Sequence, residues 1–259
     1  MSDNDFNKTP APEELIEAII ANKAEAVEDL LRRGVSLQGR SNYGWTPLAL
    51  AAGQCDVKIV RLLLDHGADI EKGNDVNDEP PLVCAAEEGR LETVRLLLDR
   101  GASIDKTGVS GDTALLLAAE EGWSETVKLL VERGAGLDIK NKHGNTALTC
   151  AAIDDFEEII RLLLDRGASP DIENDDGETA LTVAEEGGAF KVARMLQDES
   201  ESRRRAVTAA ATTVAKAEAD KERARRDAVT ARQADLRAKA QKIKAKPAQR
   251  RRPEGGPRA

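Results

Sequence analysis

The sequence has few of the residue types that most often carry out chemistry. Its 259 residues include three Cys, two His and 2% aromatic residues. Cys55, Cys84 and Cys150 are far apart without Cys-x-x-Cys spacing, and neither His66 nor His143 belongs to a metal-binding motif. No phosphate-binding Gly-Lys-Ser/Thr loop is present. We therefore expect no catalytic residue, no metal site and no cofactor site, and we do not expect an enzyme.

The chain also lacks long hydrophobic runs. No segment approaches the 18 or so apolar residues that a membrane-spanning helix needs, and the first residues do not resemble a secretory signal. An odd number of scattered Cys is typical of a reducing compartment. These features predict a protein that is neither secreted nor membrane-spanning. We expect it in the cytoplasm, with the nucleus as the alternative.

Charge is distributed unevenly along the chain. The net charge is −9, but residues 199–259 carry 18 Lys and Arg against 8 Asp and Glu, or +10. Residues 1–198 carry 20 basic and 39 acidic residues, or −19. The sequence therefore predicts an acidic body followed by a basic tail.

A repeat of 33 residues organises the acidic body. Leucines recur at this interval at positions 82, 115, 148 and 181, and glycines recur at 101, 134 and 167. One extra residue separates Leu48 from Leu82, which predicts a slightly longer loop there. A fixed period of this length indicates a solenoid of stacked units. In a solenoid, function resides in exposed surfaces rather than in a deep pocket.

Each unit has the same order of signals. A turn containing Gly or Asn precedes a Thr or Pro that can start a helix, followed by Leu and a pair of small Ala residues. A second helix carries a Leu triplet, as in Leu62–Leu64, and ends at a Gly that can adopt positive φ. Because aromatic residues are scarce, the core must consist of Leu, Ile, Val and Ala.

These segments resemble ankyrin repeats. The resemblance is carried by Gly44–Ala52 and Arg61–Asp69, and it is echoed in every later unit. It implies an all-α ankyrin-repeat solenoid of helix-turn-helix units with short β-turn fingers. The predicted organisation is a disordered lead at 1–11, a repeat domain at 12–198, a charged Ala-rich helix at 199–246 and a disordered basic tail at 247–259. Within the repeat domain, a cap covers 12–43 and repeats start near 44, 78, 111, 144 and 177.

Some positions depart from the family pattern. The His that usually follows the first-helix Leu is replaced in all units, so its bridging hydrogen bonds are not expected; the replacements are Ala49, Val83, Leu116, Thr149 and Thr182. Cys55 and Asp155 stand where the family usually has a Gly between the two helices. We expect local backbone strain at both of these positions.

The resemblance implies that a partner protein binds the concave side, formed by the turn tips and the first helices. On the turns, the candidate contacts are Asn42, Tyr43, Trp45, Val76, Asn77, Glu79, Val109, Asp112, Lys142, His143 and Asn145. At the ends of the first helices they are Gln54, Glu87, Glu88, Glu120, Glu121 and Asp154. Trp45 could be a binding anchor or could cover the join between cap and first unit. Trp123 is expected to be a packing residue.

Acidic pairs recur at equivalent positions of neighbouring units. Glu87-Glu88 and Glu120-Glu121 are 33 residues apart, and Glu185-Glu186 lies close to the same row. Such a stripe repels itself, so a basic partner would stabilise it. The alternative is a solvated acidic face that favours solubility.

The tail favours helix but is poor in large apolar residues, which are Val207, Val214, Val229, Leu236 and Ile243. The last three are spaced by seven residues, so the helix could be solvated, could dock on the repeat domain or could pair with another chain. Its charge also suits nucleic acid. Basic residues at 242–246 and 250–252 are compatible with a nuclear-import signal.

The predicted function is thus a non-enzymatic protein-binding adaptor or scaffold with a partner that could be basic. The alternatives are a nuclear regulator whose tail contacts nucleic acid, and autoinhibition by the tail.

Overall fold

The computed structural model describes the backbone of residues 10–244 and the side chains of residues 10–241. The disordered lead predicted for 1–11 falls outside this range except for its last two positions. The basic tail predicted for 247–259 and the basic side chains of the predicted import signal also lie outside the described residues.

The described chain consists of helices and turns, and no strand occurs between residues 10 and 244. The all-α prediction is therefore confirmed. The helices are α1 (Pro12–Ile20), α2 (Ala24–Arg32), α3 (Pro47–Gln54), α4 (Val57–Asp65), α5 (Pro81–Glu87), α6 (Leu91–Asp99), α7 (Ala114–Glu120), α8 (Ser124–Glu132), α9 (Ala147–Ile153), α10 (Glu157–Asp165), α11 (Ala180–Glu186) and α12 (Phe190–Lys244).

Threonine starts most of the first helices. The Thr46 Oγ1 accepts a hydrogen bond from the Ala49 N–H at 3.0 Å, and Thr113 does the same for Leu116 at 3.2 Å. This satisfies one of the amide groups that a helix leaves unpaired at its start. In the second unit Pro80 occupies the cap position and makes no such bond, although Pro81 is well suited to the first helical position.

The core lies between the helices of successive units. Leu115 of a first helix and Leu130 of a second helix are buried almost completely, whereas some outer leucines of the triplets, such as Leu64, are half-buried. Ala pairs such as Ala118-Ala119 are also fully buried, which lets neighbouring first helices approach closely. Each second helix ends in a Gly at positive φ; Gly101, for example, has φ 90°. No unit buries its leucines alone, so each needs its neighbours.

The described residues divide into two compact units. One extends to Glu201 and contains the stack of short helices together with the start of α12, where Val192 and Leu196 are fully buried. The other begins at Ser202 and contains the remainder of α12. Because α12 is one continuous helix, no break separates the last repeat from the tail helix at residue 199.

The two predicted sites of strain differ. Asp155 has φ 59°, the left-handed conformation that favours Gly, as expected. Cys55 has φ −107° and ψ 170°, which is ordinary extended backbone, so the prediction of strain at Cys55 was wrong. The reason is that α3 ends at Gln54 and the chain leaves it directly in an extended conformation. The Cys55 thiol is buried and donates to the Ile19 carbonyl oxygen at 3.2 Å.

Two of the residues in the usual His position form local hydrogen bonds after all. Thr149 Oγ1 lies 3.1 Å from Thr146 Oγ1, and Thr182 Oγ1 accepts from the Thr179 N–H at 2.8 Å. Bonds at the helix start are therefore retained in the fourth and fifth units, in which Thr replaces the His.

Candidate partner-binding surface

Backbone hydrogen bonds join the turns of neighbouring units into a continuous row. The Asp75 N–H donates to the Gly44 carbonyl at 3.0 Å, and the Lys142 N–H donates to the Ser110 carbonyl at 3.0 Å. Equivalent bonds connect Val109 to Asn77 and Asp175 to His143. The first helices α3, α5, α7, α9 and α11 pack beside one another in the same order. The turns and first helices together form one surface, which we call the first-helix face.

Some of the predicted contact residues are engaged within the chain. Asn141 Nδ2 donates to Asp112 Oδ1 at 2.8 Å, and Asn174 Nδ2 donates to Asn145 Oδ1 at 3.2 Å. Glu79 accepts from Asn77 in its own turn. Glu79, Asp112 and Asn145 are consequently half-buried and help to align the turns. Only part of each side chain remains accessible to a partner.

Seven carboxylates of this face act on one another and form what we call the acidic patch, which consists of Glu79, Glu87, Glu88, Asp112, Glu120, Glu121 and Asp154. The pKa of Glu87 is raised, first by partial burial and then by the charges of Glu79, Glu88, Glu121 and Glu120. These residues come from two neighbouring units. The patch is therefore a shared feature of the stack rather than of one repeat.

Glu120 extends the patch towards the fourth unit. Its pKa is also raised, first by partial burial and then by the charges of Asp112, Glu121 and Asp154. Among the described residues, none of the seven patch carboxylates forms an ion pair. Elsewhere the stack does pair its acids; Arg100 with Asp65 and Arg133 with Asp99 meet at 2.8 Å. The patch thus carries negative charge that the repeat unit does not neutralise.

An apolar groove of about 190 Å³ lies against the acidic patch. Trp45, Ala49 and Leu50 form part of its lining, together with Cys84. Glu87 and Glu88 form the acidic part of the lining, and Gln54 also contributes. Trp45 is half-buried, packs on the core and lines the groove. This groove brings together Trp45, Gln54 and the first acidic pair, as the sequence suggested.

A second groove of about 200 Å³ lies between α1 and the first turn. Tyr43 and Ile20 line it and are 79% and 62% exposed, respectively. Asn42 lies at the same place, with Glu13 and Glu17 from α1. Ile20, Glu13 and Glu17 were not predicted from the sequence as contact residues. The signal available in the sequence was a large apolar residue at the very end of the first helix.

Trp123 is a packing residue, as predicted. Its Nε1 donates to the Glu87 carbonyl oxygen at 2.8 Å, and its ring lies over Gly89, where an added Cβ would be 2.4 Å from the ring. Phe156 covers Gly122 in the same way one unit later. Both rings close the joint with the preceding unit.

The remaining predicted contacts are more scattered. Lys142 and His143 are exposed at the fourth turn, where His143 accepts a backbone bond from the fifth turn. Val76 and Val109 are exposed at the second and third turns. Glu185 is exposed on α11 and shares a shallow pocket with Phe190, which is 79% exposed, rather than joining the acidic patch.

The three Cys residues are buried within the repeat stack. Burial raises the pKa of Cys55 to about 11 and that of Cys150 to about 12, and it raises the pKa of Cys84 still further. Thiols held in the protonated form are poor nucleophiles and metal ligands. In the described part of the chain, no group of three or more His, Cys, Asp or Glu is arranged to hold a metal ion.

Comparison with known proteins identifies the class that this fold and surface define. The family model for ankyrin repeats (three copies) matches residues 15–108 and 105–174. The chain therefore belongs to the ankyrin repeat family. Ankyrin repeats generally mediate protein–protein interaction, and the family is typically non-enzymatic.

The similar proteins support the same class. The crystal structure of EF0377, an ankyrin repeat protein, superposes with a TM-score of 0.65 and 30% identity, covering 71% of this chain and 96% of that one. The ankyrin repeat, SAM and basic leucine zipper domain-containing protein 1 of Loxodonta africana is 45% identical over 51 residues, and that of Equus caballus is 47% identical. These matches cover 20% of this chain and only 11% of those relatives. Between residues 10 and 244, no helix is long and apolar enough to cross a membrane.

Proposed function

We propose that this protein is a non-enzymatic adaptor whose first-helix face binds a Lys/Arg-rich segment of a partner protein. The observation that carries the proposal is the acidic patch. Partial burial and the neighbouring carboxylates raise the pKa of Glu87 and Glu120, and no patch carboxylate forms an ion pair with a cation among the described residues. Bringing cations next to such carboxylates is favourable, and complementary charge also speeds association.

The two grooves, each lined by both apolar and charged side chains, add a second requirement on the partner. One groove has Trp45 beside the acidic pair Glu87-Glu88, and the other has Tyr43 and Ile20 beside Glu13 and Glu17. Aromatic side chains at such places commonly provide much of the binding energy. The proposed ligand is therefore a segment that combines basic residues with apolar or aromatic anchors, rather than a purely basic chain.

Selection of random peptides displayed on phage against the full chain tests this function. We expect enrichment of sequences that have several Lys or Arg residues and at least one large apolar residue. Enrichment should be lost when a free peptide of the same kind competes. Selection of acidic or uncharged sequences, or no selection at all, would show that the face has a different partner.

The basic segment of α12 supports a second candidate function, contact with nucleic acid. From Ser202 to Lys244 there are 13 Lys and Arg against 5 Asp and Glu. A binding titration of the full chain with DNA and RNA at several salt concentrations tests it. A steep decrease in affinity with salt supports this candidate, and no binding at low salt excludes it. We propose the cytoplasm as the place of action, with the nucleus as the alternative if nucleic acid is bound.

A further inference from the structure

The part of α12 beyond Ser202 has a single stripe of large apolar side chains that no other described element covers. Val207, Val214, Val229 and Leu236 are 69%, 59%, 57% and 59% exposed. Every described side chain from Arg204 to Gln241 is classed as exposed. An α-helix turns by about 100° per residue, so these four side chains fall within about 60° of one another around the helix. They form a narrow seam that spans about 29 residues.

Three charged residues interrupt this seam, two at its middle and the third, Arg232, between Val229 and Leu236. On the same helical geometry, Glu218 and Arg225 lie between Val214 and Val229 and within the same angular range. Neither residue forms an ion pair within the described helix, whereas Glu222 pairs with Arg226 at 3.2 Å and Asp235 with Lys239 at 2.7 Å. The middle of the seam therefore contains one unmatched acid and one unmatched base, separated by seven residues.

The four large apolar residues and the two central charges are spaced in the same way on both sides of the seam's midpoint. Val214 lies seven residues before Lys221, and Val229 lies seven residues after Glu222. Val207 and Leu236 lie fourteen residues from the same two positions, and Glu218 and Arg225 lie three residues from them. These six positions are thus symmetric about the peptide bond between Lys221 and Glu222, except that acid on one side corresponds to base on the other. A further pair of related positions in the same angular range differs, since Ala211 corresponds to Arg232.

We propose that this seam, formed by Val207, Val214, Glu218, Arg225, Val229 and Leu236, is a dimerisation surface for a second copy of the chain in antiparallel orientation. With the two-fold axis at the midpoint, Val207 meets Leu236 of the second copy and Val214 meets Val229. Each Glu218 then meets Arg225 of the other copy, so two opposite-charge pairs form at the centre. An interface between identical surfaces related by a two-fold axis is the commonest symmetry among homo-oligomers.

Other arrangements of the same helix are less favourable. A parallel dimer would place Glu218 against Glu218 and Arg225 against Arg225, which is repulsive. A hairpin within one chain is excluded, because α12 is continuous from Phe190 to Lys244. The seam is short and Val-rich, so we expect a weak, reversible dimer rather than a permanent one.

The dependence on salt distinguishes dimerisation from binding of a polyanion. The helix from Ser202 to Lys244 carries a net charge of about +8, so two copies repel over most of their length. Added salt screens this repulsion, and dimerisation should become stronger as salt increases. Nucleic acid binding changes in the opposite direction.

Sedimentation of the full chain at concentrations from about 1 µM to about 500 µM tests the proposal, because this range covers weak association. We expect the mass to rise from 27.9 kDa towards twice that value. Val214→Thr with Val229→Thr should raise the dimer Kd at least tenfold, because it keeps the side-chain shape but adds hydroxyls to the seam. The control Ala209→Thr with Ala234→Thr places the same hydroxyls on the opposite side of the helix and should leave the Kd unchanged.

Charge exchange tests the antiparallel arrangement itself. Glu218→Arg alone and Arg225→Glu alone should each weaken the dimer severalfold, because each places like charges together. The double variant should restore the original Kd. A chain that stays monomeric at the highest concentration overturns the proposal. A double variant that dimerises as weakly as the single variants also overturns it. Loss of DNA binding in Val214→Thr with Val229→Thr, with no dimer in either protein, would instead assign the seam to nucleic acid.

Discussion

At the scale of single residues, the joints between units depend on an aromatic ring placed over a glycine. Trp123 covers Gly89, and Phe156 covers Gly122. The Trp123 indole also donates to the Glu87 carbonyl at the end of the preceding first helix. One unit earlier Arg90 has the same role, since its Nε donates to the Gly53 carbonyl at 3.1 Å. Trp123 and Arg90 thus occupy equivalent positions, and each donates a hydrogen bond to the end of the preceding first helix, one from an indole and the other from a guanidinium.

Substitution of Gly89 should be more costly than substitution of a glycine at an open helix end. Gly89→Ala places a Cβ within 2.4 Å of the Trp123 ring at φ 62°, whereas Gly101→Ala meets nothing within 4 Å at φ 90°. Gly101→Ala should decrease the free energy of unfolding by about 1 kcal/mol, through backbone strain alone. Gly89→Ala should decrease it by about 2–4 kcal/mol, because overpacking is added. Urea denaturation of the two variants measures the difference, and equal effects would contradict the ring-over-glycine joint.

Asp155 occupies the position that Gly89 and Gly122 have in the preceding units, and its surroundings show why a side chain is tolerated there. It has φ 59°, yet the residue of the next unit that corresponds to Trp123 and Phe156 is Ala189, which has no ring. No clash forbids a side chain at residue 155, so only the backbone strain remains. Asp155→Gly should therefore stabilise the protein by about 0.5 kcal/mol in urea denaturation. A lower free energy of unfolding would mean that the Asp155 side chain contributes more than its strain costs.

At the scale of the elements, the first helices differ in how they begin. Threonine caps α3, α7, α9 and α11, whereas Pro80 leaves the start of α5 without a side-chain cap. Pro80 still favours the extended conformation of the residue before it, which helps the chain to enter the helix. The start of α5 is therefore stabilised by the restricted backbone of the two prolines rather than by a side-chain hydrogen bond.

Cap exchange tests this difference between helix starts. Thr113→Ala should reduce the free energy of unfolding by about 1 kcal/mol, because the Leu116 N–H loses its partner. Pro80→Thr supplies the missing hydroxyl and should stabilise the protein by less than about 1 kcal/mol, since the stiffness of Pro is lost. Thermal denaturation of both variants gives the comparison. A destabilised Pro80→Thr variant would mean that the stiffness matters more than the cap.

The elements were largely predictable from the sequence, and the reason is their repetition. The Leu and Ala positions recur every 33 residues, so an ambiguous short apolar run in one unit is resolved by its counterparts in the others. The backbone at Cys55 was not predictable, because a residue in a glycine position carries no information on where the preceding helix ends. Trp123 could be assigned to packing, but its contact with Gly89 depends on the spacing between units, which only the structure gives.

At the scale of the whole molecule, the repeat stack maintains an electrostatically unfavourable surface. Asp65 and Asp99, at the ends of two second helices, are paired across units with Arg100 and Arg133, whereas the carboxylates of the acidic patch on the first-helix face form no ion pair among the described residues. Sequence analysis could identify Glu87-Glu88 and Glu120-Glu121 as equivalent pairs. It could not show that Glu79, Asp112 and Asp154 come close enough to act on them, because these positions lie on turns and helix ends.

The patch should make stability depend on pH. The folded-state pKa values of Glu87 and Glu120 are raised above the ordinary value, so ionisation of these groups disfavours the folded state. This destabilisation is complete above the folded-state pKa values and disappears as pH falls below the unfolded value. Glu87→Gln with Glu120→Gln should therefore raise the melting temperature at pH 7 and have no such effect near pH 4. A melting temperature unchanged or lowered at pH 7 would indicate that the patch is already neutralised in the folded protein.

The most direct measurement compares the affinity of a selected Lys/Arg-rich peptide for two charge-matched variants of the full chain. Glu88→Lys with Glu121→Lys alters the acidic patch, while Glu92→Lys with Glu125→Lys makes the same change at exposed, equivalent positions of the second helices α6 and α8. We expect the patch variant to bind at least about tenfold more weakly in fluorescence anisotropy, with a nearly unchanged melting temperature. The control variant should bind within about twofold of the unaltered chain, because its charges lie away from the bound segment. Equal loss of affinity in the two variants would contradict a partner site on the first-helix face.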